Sequence, residues 1–329
     1  MCLATISLCT GGRTQQPYLF SGSSEGTLRA WEIRCEKEIG YLREDTSGVT
    51  SVVWTGDGRM MVAAGSSKGK VRAWEGDSGK EIGCFEGHTG VLTIVSWTRD
   101  GKMIAAGSSD GSVRVWETSS GKELRCFQDV KRRFSHLAWS KDGSMLASKL
   151  SNGTARVWEI SSGEEMRYSA KNSVIVTSVS WSEDSRFIAA GSKDWTVRVW
   201  EVRSSEQVQC FKGHGEQATC VVWSRDGSML ASGSEDMTAR VWEMSSGRRV
   251  SCCTGHKGRV TCVAWSENGR FLASGSSDCT VRVWEARSGK EIRCFRGHTD
   301  CITSVVWSED GSMLVSGSDD TTVLVWGNF

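Results

Sequence analysis

Tryptophan returns to the same place in this sequence eight times. Trp31, Trp74, Trp116, Trp158, Trp200, Trp242, Trp284 and Trp326 are spaced by 43 residues once and by 42 residues six times. Around each lies a near-copy of residues 260–295, VTCVAWSENGRFLASGSSDCTVRVWEARSGKEIRCF, which reads as four short strands, a to d, separated by three turns. A fixed period of about 40–45 residues with four strands per copy predicts an all-β propeller of four-stranded antiparallel blades. The repeats fall at about 1–45, 46–88, 89–130, 131–172, 173–214, 215–256, 257–298 and 299–329, and are expected to form one domain over 1–329.

The strand assignments rest on residue chemistry. The stretches are short, rich in Val, Ile, Thr and Trp, and alternate or run apolar, as strands covered on both faces do. Asp-Gly or Asn-Gly closes the a–b hairpin at Asp57-Gly58, Asp100-Gly101, Asp142-Gly143, Asp226-Gly227, Asn268-Gly269 and Asp310-Gly311. Those pairs tolerate the positive φ that such turns demand. No amphipathic helix is expected. Repeat one is atypical, with Cys9 where later copies have the strand-a Trp and with the sole proline, Pro17, in its first hairpin.

Net charge is +1, so no global field favours nucleic acid, and no apolar run reaches membrane-spanning length. The opening MCLATISLCT lacks a basic leader and a cleavage site, which favours a cytoplasmic or nuclear protein. Five of the thirteen cysteines share one column, Cys84, Cys126, Cys210, Cys252 and Cys294, while Cys220 and Cys262 share another. Members of one column sit in different sheets, too far apart for a disulfide, and there is no CxxC pair for zinc. They are expected to be small buried apolar residues in a reducing compartment.

The units resemble the WD-repeat β-propeller family over the whole chain. The resemblance is carried by Gly87-His88, Gly213-His214, Gly255-His256 and Gly297-His298, by the strand-b LASGS runs, by the b–c turn Asp and by the closing Trp, here followed by Glu in seven copies. It implies a buried hydrogen-bonded chain of His, Ser, Asp and Trp in each complete repeat. Three repeats match in full: His214, Ser232, Asp236, Trp242; His256, Ser274, Asp278, Trp284; and His298, Ser316, Asp320, Trp326. Repeat three has His88, Asp110 and Trp116 but Ala106 for the Ser. Repeat five has Asp194 and Trp200 but Asn172 and Ala190, and repeat four has Asn152 for the Asp and no His.

Ser, His and Asp in one repeat invite a hydrolase reading, but their recurrence in several blades marks a lock between loops. Gly22–Gly26, Gly65–Gly69 and Gly107–Gly111 fit GxSxG, yet fall at strand-to-strand turns, whereas a nucleophile elbow needs strand-to-helix. The five histidines lie on different blades or within a strand, so no metal, cofactor or catalytic residue is expected. Binding remains, and it should sit where the repeat is broken. The candidates are Ile175, Gln217 and Arg259 in the variable position before strand a, Lys193 before the turn Asp, the basic run Lys131, Arg132 and Arg133, and Trp195, which has no Trp counterpart in another repeat. An extra exposed Trp suits a partner anchor.

Eight a, b and c strands but seven d strands leave two arrangements. An eight-bladed propeller whose last blade lacks its outer strand is favoured, because seven blades closed by residues 35–44 would leave residues 1–33 as uncovered strands. The expected function is a non-catalytic scaffold that binds proteins or peptides through its loop face, with no specific nucleic acid, membrane or small-molecule ligand. The alternative is the ligand-sensing WD-repeat module of a larger signalling protein, of which this chain is a fragment.

Overall fold

The computed structural model describes residues 7–11, 16–22, 27–32, 37–43, 49–54, 61–66, 68–75, 80–129, 134–150, 154–168, 175–308 and 310–327. These form no helix. Their strands make eight antiparallel sheets, seven of four strands and one of three. Repeat seven shows the rule. Strands a (Val260–Trp265), b (Phe271–Ser276), c (Thr280–Glu285) and d (Glu291–Arg296) lie side by side in chain order. Leu272 faces Trp284 across b and c, and Val281 faces Phe295 across c and d. A register shift at Val283/Trp284 lets the heavy indole sit opposite Glu291.

Lys37–Arg43 pairs with Thr27–Glu32 as the fourth strand of the first sheet. The closure of the last sheet by residues 35–44 is therefore not adopted. The last sheet holds strands Ile302–Trp307, Met313–Ser318 and Val323–Gly327.

By its internal contacts the chain divides into two compact units, Met1–Asn152 with Val157–Glu165, and Gly153–Arg156 with Met166–Phe329. In the first, Val71 and Phe85 of repeat two bury against Leu92, Val95, Trp97 and Ile104 of repeat three. In the second, Val241 and Cys253 of repeat six bury against Val260, Val263 and Leu272 of repeat seven. The core thus lies between neighbouring sheets, which is why strand b of repeat six, MLASGS, is buried at every position. Each fully buried Val or Leu contributes roughly 1.5–3 kcal/mol.

Two columns of side chains stitch the sheets together. Thr219 Oγ1 donates to Val260 O at 2.6 Å and Thr261 Oγ1 to Ile302 O at 2.5 Å, and Thr93 reaches Phe134 O at 2.7 Å. The strand-a indoles do the same: Trp223 Nε1 donates to Ser180 O at 3.2 Å and Trp307 Nε1 to Ala264 O at 3.2 Å. This gives the strand-start Thr, uninformative as a sequence column, a structural task. The a–b turns are held by an Asx pattern: Ser224 Oγ donates to Asp226 Oδ1 at 2.6 Å, and Gly227 follows at φ 68°.

Candidate protein-interaction surface

The loops are positioned from beneath by the polar locks. In repeat seven the donor order follows from chemistry. Trp284 Nε1 can only donate, so Ser274 Oγ accepts from it at 2.8 Å. The Ser274 hydroxyl then donates to His256 Nε2 at 2.7 Å, and His256 Nδ1–H donates to Asp278 Oδ2 at 3.0 Å. Asp278 also accepts from Lys257 N at 2.7 Å and from Thr280 Oγ1 at 2.6 Å. The carboxylate therefore ties the d–a loop to the b–c turn.

Repeats six and eight have the same geometry. Ser232 lies 2.8 Å from both Trp242 Nε1 and His214 Nε2, and Asp236 lies 2.9 Å from His214 Nδ1. Ser316 is 2.9 Å from Trp326 Nε1 and 2.8 Å from His298 Nε2, with Asp320 2.8 Å from Nδ1. In repeat three, where Ala106 replaces the Ser, His88 Nε2 turns to Ala106 O at 3.2 Å and Ser112 Oγ comes to 2.9 Å from Nδ1. In repeat five Arg198 Nη2 contacts Asp194 Oδ2 at 2.5 Å, the oxygen that His occupies elsewhere, and Thr196 Oγ1 holds Oδ1 at 2.6 Å. Asn152 and Asn172 lie outside the described residues.

The electrostatics agree with neutral imidazoles over charged carboxylates. Burial pushes His88, His214 and His256 below the ordinary histidine value, against the pull of their aspartates. Burial alone would raise Asp278, but the hydrogen bonds from Thr280 and Lys257 N and the nearby His256 outweigh it and hold it down at about 2.

Ser, His and Asp here match a hydrolase triad atom for atom, Ser to Nε2 and Asp to Nδ1. Yet Ser232, Ser274 and Ser316 have no exposed surface, and each hydroxyl is capped by an indole N–H. No carbonyl carbon can approach such an oxygen. The GxSxG stretch Gly107–Gly111 links strand Met103–Ser108 to strand Ser112–Glu117, with no helix after it. Among the described residues no group of three or more His, Cys, Asp or Glu side chains could hold a metal ion. The ten cysteines from Cys84 to Cys301 are free thiols, with burial pushing Cys220 to about 11 and Cys253 and Cys262 to about 12. The larger cysteine column departs from the expected burial: Cys84 is exposed, and Cys126, Cys210, Cys252 and Cys294 are half-buried.

Above the locks, the two variable loop columns meet through one backbone bond in repeats three and five to eight. Lys193 N donates to Ile175 O at 2.8 Å, Glu235 N to Gln217 O at 3.0 Å, and Ser277 N to Arg259 O at 3.0 Å. Arg259 and Glu235, from neighbouring repeats, approach to 3.9 Å. Lys193 and Arg259 are exposed and Gln217 is half-buried. Trp195 is 49% exposed and Ile175 38%. Lys131, Arg132 and Arg133 lie outside the described residues.

Sequence reasoning missed one residue of this surface. The position after the turn Asp, which is Lys68 in repeat two, is left-handed in every described copy: Gly69 at φ 76° and Gly111 at 80°, but Trp195 at 71°, Met237 at 65°, Cys279 at 64° and Thr321 at 68°. Met237 is 44% exposed and occupies in repeat six the place of Trp195 in repeat five. The signal was the switch from Gly to large side chains in a column that favours Gly.

Four-stranded sheets stacked on their neighbours through the strand-a Thr and Trp columns define a β-propeller. Residues 36–75, 79–117 and 121–159 match the WD domain, G-beta repeat family, and residues 177–328 match the WDR19 first beta-propeller family. No curated protein matches the chain. Among solved structures, the computationally designed Ika8 protein superposes with a TM-score of 0.83 at 24% identity, over 99% of this chain and 96% of that one. The C-terminal WD40 domain of Sif2 superposes with a TM-score of 0.83 at 18% identity, over 95% and 92%. The chain belongs to the WD-repeat β-propeller family, whose members are generally protein-interaction scaffolds.

Proposed function

We propose that this chain is a non-catalytic scaffold that docks partner proteins or peptides on the face built from its d–a loops and b–c turns. Trp195 is the anchor, supported by Ile175, Lys193 and Met237, with Gln217 and Arg259 supplying specificity. The observation that carries this reading is Trp195 itself: a large aromatic side chain, half exposed, held at positive φ on a turn whose Asp194 is pinned by Arg198 and Thr196. A rigid aromatic group presented at little entropic cost is what a binding hot spot requires. The nearly balanced charge gives no support to a nucleic-acid or membrane ligand, and we place the protein in the cytoplasm or nucleus.

Affinity purification with mass spectrometry, comparing wild type with Trp195→Ala, tests the assignment. Losing such an anchor costs roughly 2 kcal/mol or more, so at least one partner should disappear. An unchanged partner set would remove this face from consideration.

A further inference from the structure

Repeat seven departs from its neighbours at the end of the sheet away from the proposed docking face. The a–b and c–d turns lie at that end, opposite the d–a loops and b–c turns. Six repeats place Asp in the a–b hairpin (Asp57, Asp100, Asp142, Asp184, Asp226, Asp310), whereas repeat seven places Asn268. Two residues on, repeats four, six and eight carry Ser144, Ser228 and Ser312, and repeat seven carries Arg270. In the c–d turn, repeats three, four and six carry Ser119, Ser161 and Ser245, and repeat seven carries Arg287.

Those changes convert a closed set of hydrogen bonds into a set of donors. In repeat six Asp226 Oδ1 accepts from Ser224 Oγ at 2.6 Å and Oδ2 accepts from Ser228 Oγ at 2.7 Å. Ser308 and Ser312 close Asp310 in the same way. Asn268 keeps the first half alone: its Oδ1 accepts from Ser266 Oγ at 2.8 Å and from Arg270 N at 2.9 Å. Its second polar atom is an amide nitrogen, which donates, and the residue in the serine position is an arginine, which also only donates. Arg270 rests over the Phe271 ring, 5.1 Å from its centroid. Among the described residues the guanidinium groups of Arg270 and Arg287 have no ion pair and Asn268 Nδ2 has no acceptor. Repeat five is the contrast. It too has arginines at both positions, Arg186 and Arg203, but it keeps Asp184, and Arg186 reaches Glu201 at 3.4 Å.

Asn268, Arg270 and Arg287 line one groove of ≈ 540 Å³ between repeats six and seven. The acids of this groove are already matched: Asp226 to its serines, Glu267 to Arg225, and Glu285 to Ser288 Oγ at 2.6 Å. The uncommitted charge is positive. We propose that the groove binds the phosphoryl group of a phosphorylated segment of a partner protein. A phosphate monoester carries close to two negative charges and three acceptor oxygens, which two guanidinium groups and an amide N–H satisfy together. A carboxylate carries one charge and is satisfied by a single guanidinium fork. The groove continues over the a–b turns of repeats five and six, where Arg225 and Asp226 also line a second cavity with Glu183 and Asp184. An extended chain can follow that course, and the two carboxylates favour a lysine or arginine near the phosphorylated residue. They also repel an anionic membrane surface, which favours a peptide over a phosphoinositide as the occupant.

The test titrates the whole protein into the fluorescein-labelled peptide Lys-Lys-Gly-Ala-Gly-phosphoserine-Gly and into its unphosphorylated form, read by fluorescence anisotropy. Wild type should prefer the phosphorylated peptide by about tenfold or more. Asn268→Asp restores the residue of six other repeats and keeps both bonds to Oδ1, so the turn is preserved. It should remove most of the preference by placing a carboxylate oxygen where the phosphate sits. Arg270→Ser combined with Arg287→Ser installs the residues of repeats four and six and should abolish the preference. No binding at millimolar concentration, equal binding of the two peptides by wild type, or a preference that survives either change would overturn the site. Displacement of the peptide by inorganic phosphate at concentrations no higher than the peptide's own Kd would overturn the peptide as the occupant. So would tighter binding to phosphatidylcholine vesicles doped with a phosphoinositide.

Discussion

Repeats five and seven have nearly the same sequence and the same four-stranded sheet, yet hold their loops differently. Repeat seven uses a buried chain from Trp284 through Ser274 and His256 to Asp278. Repeat five has Ala190 in place of the serine, and Arg198 contacts Asp194. The sheet therefore does not need the histidine lock in order to form. What both repeats keep is a satisfied aspartate at the b–c turn. Of these two repeats, the one without the serine displays Trp195, whereas repeat three, with Ala106, has Gly111 in that place. Losing the serine leaves the turn held, because Arg198 and Thr196 both contact Asp194.

The comparison breaks most sharply at the serine. Ser274→Ala leaves both the Trp284 indole N–H and His256 Nε2 without their partner in a fully buried site. Each stranded group costs about 1–3 kcal/mol, so the variant should lose about 3 kcal/mol in urea denaturation. Ala190→Ser in repeat five should change stability by less than about 1 kcal/mol, because no lock awaits it. Equal effects at the two positions would mean that the hydrogen-bonded chain contributes nothing beyond packing.

Acid sharpens the same contrast. His256 is held below its ordinary value, so it is neutral when folded while the unfolded chain takes up a proton near pH 6.5. Its contribution is whole above that value and is lost as pH falls toward the depressed folded value, at no more than about 1.4 kcal/mol per pH unit. Asp278, at about 2 when folded, contributes fully above about pH 4 and loses its contribution only below that. Between pH 7 and pH 5 the histidine therefore responds and the aspartates do not. His256→Asn should cost about 1 kcal/mol less at pH 5 than at pH 7. Asp194→Asn, in the repeat whose aspartate pairs with arginine, should cost the same at both. Paired urea curves at the two pH values measure the difference.

Much of this architecture is written in spacing. The 42-residue return of Trp242, Trp284 and Trp326 places a strand c in each copy, and Asp-Gly pairs place the hairpins. The membership of the locks is visible because the same four residue types recur at fixed offsets. Their donor order is not visible, since it depends on which atom of Ser274 faces which ring. Nor are the substitutes: nothing in Arg198 announces that it takes the oxygen a histidine takes elsewhere, because Arg stands in that column in six other repeats. Thr219 and Trp223 have counterparts in most repeats, so their columns distinguish no repeat, and their partners, Val260 O and Ser180 O, are backbone atoms that carry no sequence signal. Met237 was overlooked for a different reason: the change from Gly in its column is written in the sequence, but the positive φ that makes the change costly is not.

That angle yields the smallest and most discriminating effect. Trp195 sits at φ 71°, where Gly69 and Gly111 sit in earlier repeats, and a side chain there costs roughly 1–2 kcal/mol of backbone strain. Trp195→Gly relieves the strain but makes the unfolded chain more flexible, which returns about 0.4–1 kcal/mol. The net expectation is a gain of about 0.5 kcal/mol in folding stability. The same change removes the exposed indole, so it should weaken partner capture while the fold tightens. A residue retained for packing would show the opposite pairing, with stability falling and binding unaffected. Measuring both quantities on this one variant separates strain kept for recognition from strain that is an accident of the repeat.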